Sequence, residues 1–257
     1  MTPILTSPLL AGAAGVRHAF FTRAGGVSRG VYESLNVGVG SGEDPTAVAE
    51  NRRRAAAVFG AGPEAIVTCY QVHSAIVMTA DGPWPGDRPR ADGVATQRPG
   101  VICGALAADC APVLLADGDA RIVAAVHAGW RGALAGVVGA GVEAMVGLGA
   151  RREAIVAAVG PCIGPASYEV GLEFLSAFEA RERAWARFFA PGAAPDKRLF
   201  DLPGFVLAQL ADAGVARAEW IGADTYADEA AFFSNRRAVH RGEADYGRLL
   251  SAIMLSA

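Results

Sequence analysis

Several large function classes are excluded by what this chain lacks. Its 257 residues carry no basic excess, with 23 Lys and Arg against 26 Asp and Glu and a net charge of -3. A dedicated nucleic-acid binder usually has the opposite balance, so nucleic acid is not an expected partner. No apolar run approaches the ~18 consecutive residues of a membrane helix, so no membrane association is expected either. The opening stretch, MTPILTSPLLAGAAGVRH, lacks the basic start of a secretory signal and runs directly into strand-like sequence. It reads as part of the mature protein, and the expected location is cytoplasmic. The four cysteines, Cys69, Cys103, Cys110 and Cys162, are sparse for so long a chain and read as free thiols in a reducing compartment. No linker, low-complexity tract or internal repeat divides the sequence. No glycine-rich dinucleotide fingerprint follows a strand, and no phosphate loop is present. Nothing reads as a large exposed apolar face, so a monomer is expected.

What remains is one domain over residues 1–257 with just over half its residues apolar, ample for a full core. Short apolar runs read as buried strands at 18–22, 75–79, 101–107, 113–116, 121–127, 155–159 and 219–223. Asp44-Pro45 opens a helix that stops near Gly60. Asp201 caps another, with Pro203 in its first turn and Gly214 past its end. Residues 130–148 and 171–189 read as helical. The prolines and glycines of 81–90 and 191–197 mark surface loops. Strands and helices mix without a strict alternation, which predicts an α+β domain whose sheets pack together under outer helices.

The chemistry concentrates in Val101 to Gly132, VICGALAADCAPVLLADGDARIVAAVHAGWRG. Two strands flank Asp117-Gly118-Asp119-Ala120, a hairpin signal. With Gly118-Asp119 as the loop, Cys110 lies opposite His127. With Asp117-Gly118, Cys110 faces Ala125 and sits diagonal to His127 on the same side of the sheet. Either register puts thiol and imidazole on one face, with directly opposed Cβ atoms about 4.5–5.5 Å apart. That separation suits two ligands of one zinc. Pro112 complicates the strand, because it cannot donate to a ladder. His73, in Gln71-Val72-His73 at a strand end, is the third candidate ligand. Three protein ligands with an open fourth position are the pattern of a catalytic zinc site. The same residues also permit a metal-free pair, with Cys110 as nucleophile and His127 as base.

Other residues carry weaker signals. Arg23 lies in a glycine-rich turn with Asn36 nearby, a setting that suits an anion. Arg236-Arg237 follows two phenylalanines; strand alternation would send one arginine to the site and the other to solvent. Asp109 would point away from the face of Cys110, which favours a structural role. Trp130 and Arg131 wall the pocket or begin the next helix. His18 and His240 read as ordinary.

Six blocks in order span nearly the whole chain: HAFFTRAGGVSRGVYESLNVG from His18, QVH ending at His73, ADC with AP around Cys110, HAGWRG from His127, GPCIG from Gly160 and FFSNRR from Phe232. Together they resemble the multicopper polyphenol oxidoreductase (laccase-like) family, whose members are also called purine nucleoside phosphorylases and, in bacteria, peptidoglycan editing factors. The resemblance implies a four-layer α/β/β/α sandwich resembling a bacterial toxin's Cys–His deamidase domain, and zinc on His73, Cys110 and His127. It implies phosphorolysis of adenosine, inosine, guanosine or methylthioadenosine, together with adenosine deamination. Nucleoside and phosphate are then the partners, and Arg23, Asn36 and Arg237 the candidate substrate contacts. The alternative it carries is a zinc amidase that removes misincorporated serine from nucleotide-linked muramyl precursors. Copper is the less favoured metal, because four histidines are too few for a trinuclear cluster plus a blue site. The chain departs from many relatives at Asp224, where a cysteine is frequent, and around Ser41 and Glu43, where a histidine is frequent.

Overall fold

A computed structural model describes residues 2–256. Three sheets organise them. One has five strands in the order β1 (Ile4–Leu5), β2 (Val16–Phe21), β14 (Leu249–Leu255), β6 (Ile102–Ala107) and β3 (Ile66–Val67). The second has six, in the order β13 (Arg217–Trp220), β9 (Val156–Val159), β7 (Ala111–Asp117), β8 (Ile122–Ala128), β5 (Gly93–Thr96) and β4 (Val77–Thr79). A small sheet joins β10 (Glu169–Gly171), β12 (Lys197–Phe200) and β11 (Phe189–Pro191).

The two large sheets bury their central strands on both faces, which is why these strands read as unbroken apolar runs. Along β7, Leu114 and Ala116 pack with Val123 and Ala125 of β8 against Phe20, Cys103, Ala105 and Ile253 of the five-stranded sheet. The alternate residues Val113 and Leu115, with Ala124 and Val126, face the helices α4 (Val137–Gly147) and α6 (Leu202–Asp212). On the far side of the five-stranded sheet, Ala19, Phe21, Leu250 and Ala252 pack against Ala55 and Ala56 of α2 (Pro45–Val58). Period-two alternation thus stacks helix, sheet, sheet and helix. The α+β expectation stands at that level. Among the described residues, no helix is long and apolar enough to cross a membrane.

Local signals fix the helices. Asp44 and Asp201 each accept a backbone N–H of the first turn, with proline just inside each helix. Gly214 follows α6 with φ +88°. The single helix expected over 130–148 is instead α3 (Trp130–Ala135) and α4, divided at Gly136, whose φ of +96° ends the first and starts the second. The segment 171–189 holds only α5 (Leu172–Glu179) as α-helix, followed by a 3-10 turn over Arg183–Phe188. The short helices α1 (Pro8–Ala11) and α7 (Asn235–Arg241) complete the set.

The β7–β8 hairpin corrects both expected registers. Asp117 pairs with Ile122 and Pro112 with His127, so the loop has four residues, 118–121. Cys110 therefore neither faces Ala125 nor lies directly opposite His127; it sits one step before the strand, diagonal to His127. The slips are by two and by four residues, and an even slip preserves the face. Pro112 is tolerated at the end of the ladder. Its carbonyl accepts Gly160 N–H at 2.8 Å, one step beyond the last β7–β9 pair, Val113 with Val159.

Candidate metal centre

His127 is the last residue but one of β8, and its ring is buried. Its Nδ1 lies 2.9 Å from Asp92 Oδ1, so a Nδ1–H donated to that carboxylate leaves Nε2 with a free lone pair. His73 comes from the loop after Tyr70 and adopts φ +59°, unusual for a residue with a side chain. The same carboxylate holds that loop. Asp92 accepts Val72 N–H at 3.2 Å, His73 N–H at 2.9 Å, and both Ser74 N–H at 2.6 Å and Ser74 Oγ at 2.8 Å. One buried aspartate thus orients His127 and pins the backbone of His73.

Cys110 is positioned from its other side by Asp109, which has φ +89°. Asp109 is buried and points away from the centre. Its Oδ1 accepts Thr225 Oγ1–H at 2.7 Å; its Oδ2 accepts Ser234 Oγ–H at 2.9 Å and Arg236 N–H at 2.6 Å. The expected structural role of Asp109 follows from these bonds. The left-handed backbone at Asp109 turns the chain so that consecutive side chains face the loop network and the centre in succession.

The candidate ligand atoms of His73, Cys110 and His127 all lie within 4.8 Å of one another, and Cys110 Sγ is 3.7 Å from His73 Nε2. Ligands bound to one tetrahedral ion at about 2.0–2.3 Å must be about 3.3–3.8 Å apart. Gly129 makes this spacing possible. A Cβ there would stand 2.5 Å from His73 Cδ2 and 2.8 Å from Cys110 Sγ. Electrostatics agree with ligation. Burial pushes the Cys110 thiol up, but His127 and His73 together overcome it and bring the thiol below its ordinary range. Burial pulls His127 down, and the Cys110 thiolate and Asp92 outweigh it and raise it. Both shifts favour the thiolate, which is the form of cysteine that ligates.

A profile of the multi-copper polyphenol oxidoreductase laccase family matches residues 17–256. The chain belongs to that family. Proteins named purine nucleoside phosphorylase resemble it: one of Escherichia coli is 39% identical over 246 residues, covering 94% of both chains. One of Pseudomonas aeruginosa is 38% identical over 229 residues, covering 89% of this chain and 91% of the other. A solved Neisseria meningitidis protein superposes with a TM-score of 0.88 at 32% identity, covering 100% of this chain and 99% of that one.

In this laccase-family chain the centre opens on two lobes that share His73, Ala108, Cys110 and Tyr246. One, of about 270 Å³, is walled by Gly38, Gly40, Gln71, Arg88 and Arg248. The other, of about 330 Å³, is walled by Trp130, Arg131, Tyr168, Asn235 and Arg236. Trp130 is seated on Phe174, with ring centroids 4.5 Å apart, and Arg131 lies 4.4 Å above Trp130.

Three expected substrate contacts lie outside both lobes. Arg23 donates to Glu33 O at 2.6 Å and to Glu229 O at 3.2 Å and covers the Phe233 ring. Arg237 donates to Thr225 O, Tyr226 O and Phe232 O. Asn36 is buried, donating to Ser41 Oγ and Glu43 Oε2 while accepting from Gly38 N and Arg248 N. It shapes the lobe wall without entering it. Arg236 is the arginine that reaches a lobe, its guanidinium 5.1 Å from the Tyr168 ring. Strand alternation does not govern this choice, because Ser234 caps a helix here by accepting Arg237 N–H. Asp92 was missed by sequence reasoning. Its only signal was a lone acid at the head of the apolar run Gly93–Thr96.

Proposed function

We propose that this chain is a zinc-dependent purine nucleoside enzyme that performs phosphorolysis of adenosine, inosine, guanosine or methylthioadenosine, with adenosine deamination as a second activity. The observation that carries the reading is the His73–Cys110–His127 triplet, oriented by Asp92 and open to a cleft with aromatic walls. The names of the relatives supply the substrate class. His73, Cys110 and His127 would hold the zinc, which would supply a Lewis acid. One thiolate and two imidazoles suit zinc. Copper-cluster oxidation needs more histidines than the four in the sequence. Two of those four are engaged elsewhere, His18 accepting Ser7 N–H and His240 bonded to Tyr226.

The chain's own groups divide the remaining work. Asp92 fixes the His127 tautomer and holds His73 in place. Trp130 and Tyr168, each with an arginine over its ring, offer flat faces for a purine. Asn235 stands exposed at the same lobe and has an amide for the base edge. Phosphorolysis is the better supported half of the proposal. Zinc deaminases pair the metal with a glutamate acid/base. Among the described residues the only carboxylate lining either lobe is Asp109, and both its oxygens are taken.

A second reading has its own support. Cys110, His127 and Asp92 stand in the order of a nucleophile, a base and its orienter, which permits metal-free acyl transfer and agrees with the implied likeness to the toxin Cys–His deamidase fold. The test is incubation of zinc-loaded protein with adenosine, with and without phosphate, and chromatography of the products. Adenine and ribose 1-phosphate formed only with phosphate, or inosine in either case, both lost in His73→Ala, support the nucleoside enzyme. No turnover by folded, zinc-bearing protein overturns it in favour of amide hydrolysis of a muramyl precursor. Turnover that survives chelation and His73→Ala but not Cys110→Ala supports the metal-free reading.

A further inference from the structure

The lobe walled by Gly38 and Arg248 does not end at the metal centre. It continues, through the shared residues Tyr70 and Arg88, into a surface groove of about 400 Å³ lined by Tyr70, Asp87, Arg88 and Arg90. Three features mark this extension as built. Tyr70 is 50% exposed, a large aromatic ring left open to solvent. The guanidiniums of Arg88 and Arg90 both lie against it, at 5.9 and 5.4 Å from the ring centroid. The backbone locks them there: Tyr70 N–H donates to Pro89 O at 2.9 Å, and Ala91 N–H donates to Tyr70 O at 3.2 Å. The proline-rich loop that carries the two arginines is therefore zipped to the strand end that leads to His73.

Among the described residues, neither Arg88 nor Arg90 makes an ion pair or a side-chain hydrogen bond; Asp87, the one acid in the groove, pairs with neither. Both arginines approach the one Tyr70 ring and line one groove, which gathers positive charge there. Partly buried Arg52 also feels Arg88, whose charge adds to the larger effect of burial in pushing its guanidinium down to about 10. Such an arrangement is favourable once an anion lies between the cations, and guanidinium forks match phosphate oxygens.

We infer that Arg88 and Arg90, grouped around Tyr70 where this lobe runs into the surface groove, form a phosphoryl-binding subsite of the substrate cleft. The inference rests on the nucleoside reading for the neighbouring lobe, and it supplies the anion site which phosphorolysis needs. Two sources have this chemistry: free inorganic phosphate as co-substrate, and a phosphoryl group carried by the substrate itself.

The experiment is calorimetric titration of the zinc-loaded protein with inorganic phosphate, adenosine and adenosine 5′-monophosphate in turn. It is repeated with Arg88→Gln/Arg90→Gln, and melting curves confirm the fold. One lost charge-assisted hydrogen bond corresponds to about a tenfold change in affinity. The double variant is expected to weaken a phosphoryl ligand by at least that factor and to leave adenosine binding unchanged. Loss of inorganic phosphate binding identifies the co-substrate source. Loss confined to the monophosphate identifies a phosphorylated substrate. Unchanged affinity for both in a folded double variant overturns the subsite. Failure of adenosine to bind the unsubstituted protein, with phosphate binding still lost in the variant, overturns the nucleoside reading and leaves the phosphoryl subsite standing.

Discussion

Replacing Asp92 by asparagine removes one oxygen from a carboxylate whose two oxygens accept five hydrogen bonds. The new amide nitrogen must face one of two donor sets. Turned toward Val72 N–H and Ser74 N–H, it leaves two backbone donors without an acceptor. Turned toward His73 N–H and His127, it sets donor against donor. His127 relieves its half only by moving its proton to Nε2, the atom that would bind the metal. Each unsatisfied buried donor costs about 1–3 kcal/mol, so a loss of about 2–6 kcal/mol in stability is expected. Loss of an outer-sphere partner lowers metal affinity by about 10–100-fold. Zinc affinity by chelator competition and a denaturant melt of the metal-free protein measure the two losses. The acid limb of stability tests the same residue. Burial raises the Asp92 pKa, but His127 and Ser74 outweigh it and bring the carboxyl to about 2. Its contribution is therefore complete above about pH 4, the unfolded value, and is lost as pH falls through about 2. A depression of this size corresponds to on the order of 2 kcal/mol. Zinc affinity and acid stability both unchanged in Asp92→Asn would refute the idea that one carboxylate assembles the centre.

Two further substitutions separate the centre from its scaffold. Gly129→Ala places a methyl group 2.8 Å from Cys110 Sγ and closer still to His73. We expect at least a tenfold loss of zinc affinity with circular dichroism unchanged, because φ there is -67° and suits any residue; full zinc affinity in the variant would refute this. Arg237→Ala removes three hydrogen bonds to the carbonyls of the 225–232 loop. It should lower stability by about 2–4 kcal/mol and leave the KM for nucleoside within twofold. A raised KM at unchanged stability would instead make Arg237 a substrate contact.

How much of this was legible in the sequence depends on whether the signal was local. The caps Asp44 and Asp201 act within one turn, and both helices start where those residues stand. The hairpin was legible in its face and not in its register. Turn composition pointed to 117–120, one residue before the four-residue loop 118–121 that forms, and two-residue loops were favoured within it. Cys110 and His127 still share a face, because every register considered differs from the real one by an even number of residues. The strand β14, Leu249–Leu255, passed unnoticed although it lies between β2 and β6 in the five-stranded sheet. Buried on both faces, it shows no alternation, and its partners lie at the other end of the chain or in its middle. Asp92 escaped for a related reason. An aspartate before a strand is ordinary in sequence, and its importance comes from a histidine 35 residues away.

Anion contacts were the hardest to read, because an arginine's role depends on where its five donors point. Arg23 and Arg237 looked available beside glycines and phenylalanines. In the fold their donors are spent on backbone carbonyls that loops leave unpaired, a need no short-range pattern shows. Arg88 and Arg90 fell in a stretch, 81–90, marked in the sequence only as a surface loop. The fold zips that loop to Tyr70 and, among the described residues, gives neither guanidinium a protein acceptor at the mouth of the cleft. The rule that separates the two groups is one of satisfaction: an arginine whose donors are filled by the backbone holds the fold together, and one held in place with its donors open is positioned for a ligand. By the same rule Arg131, stacked on Trp130 and making no side-chain hydrogen bond among the described residues, belongs with Arg88 and Arg90. Arg248, bonded to Asp245 and to Tyr246 O, belongs with the scaffold although it lines the cleft.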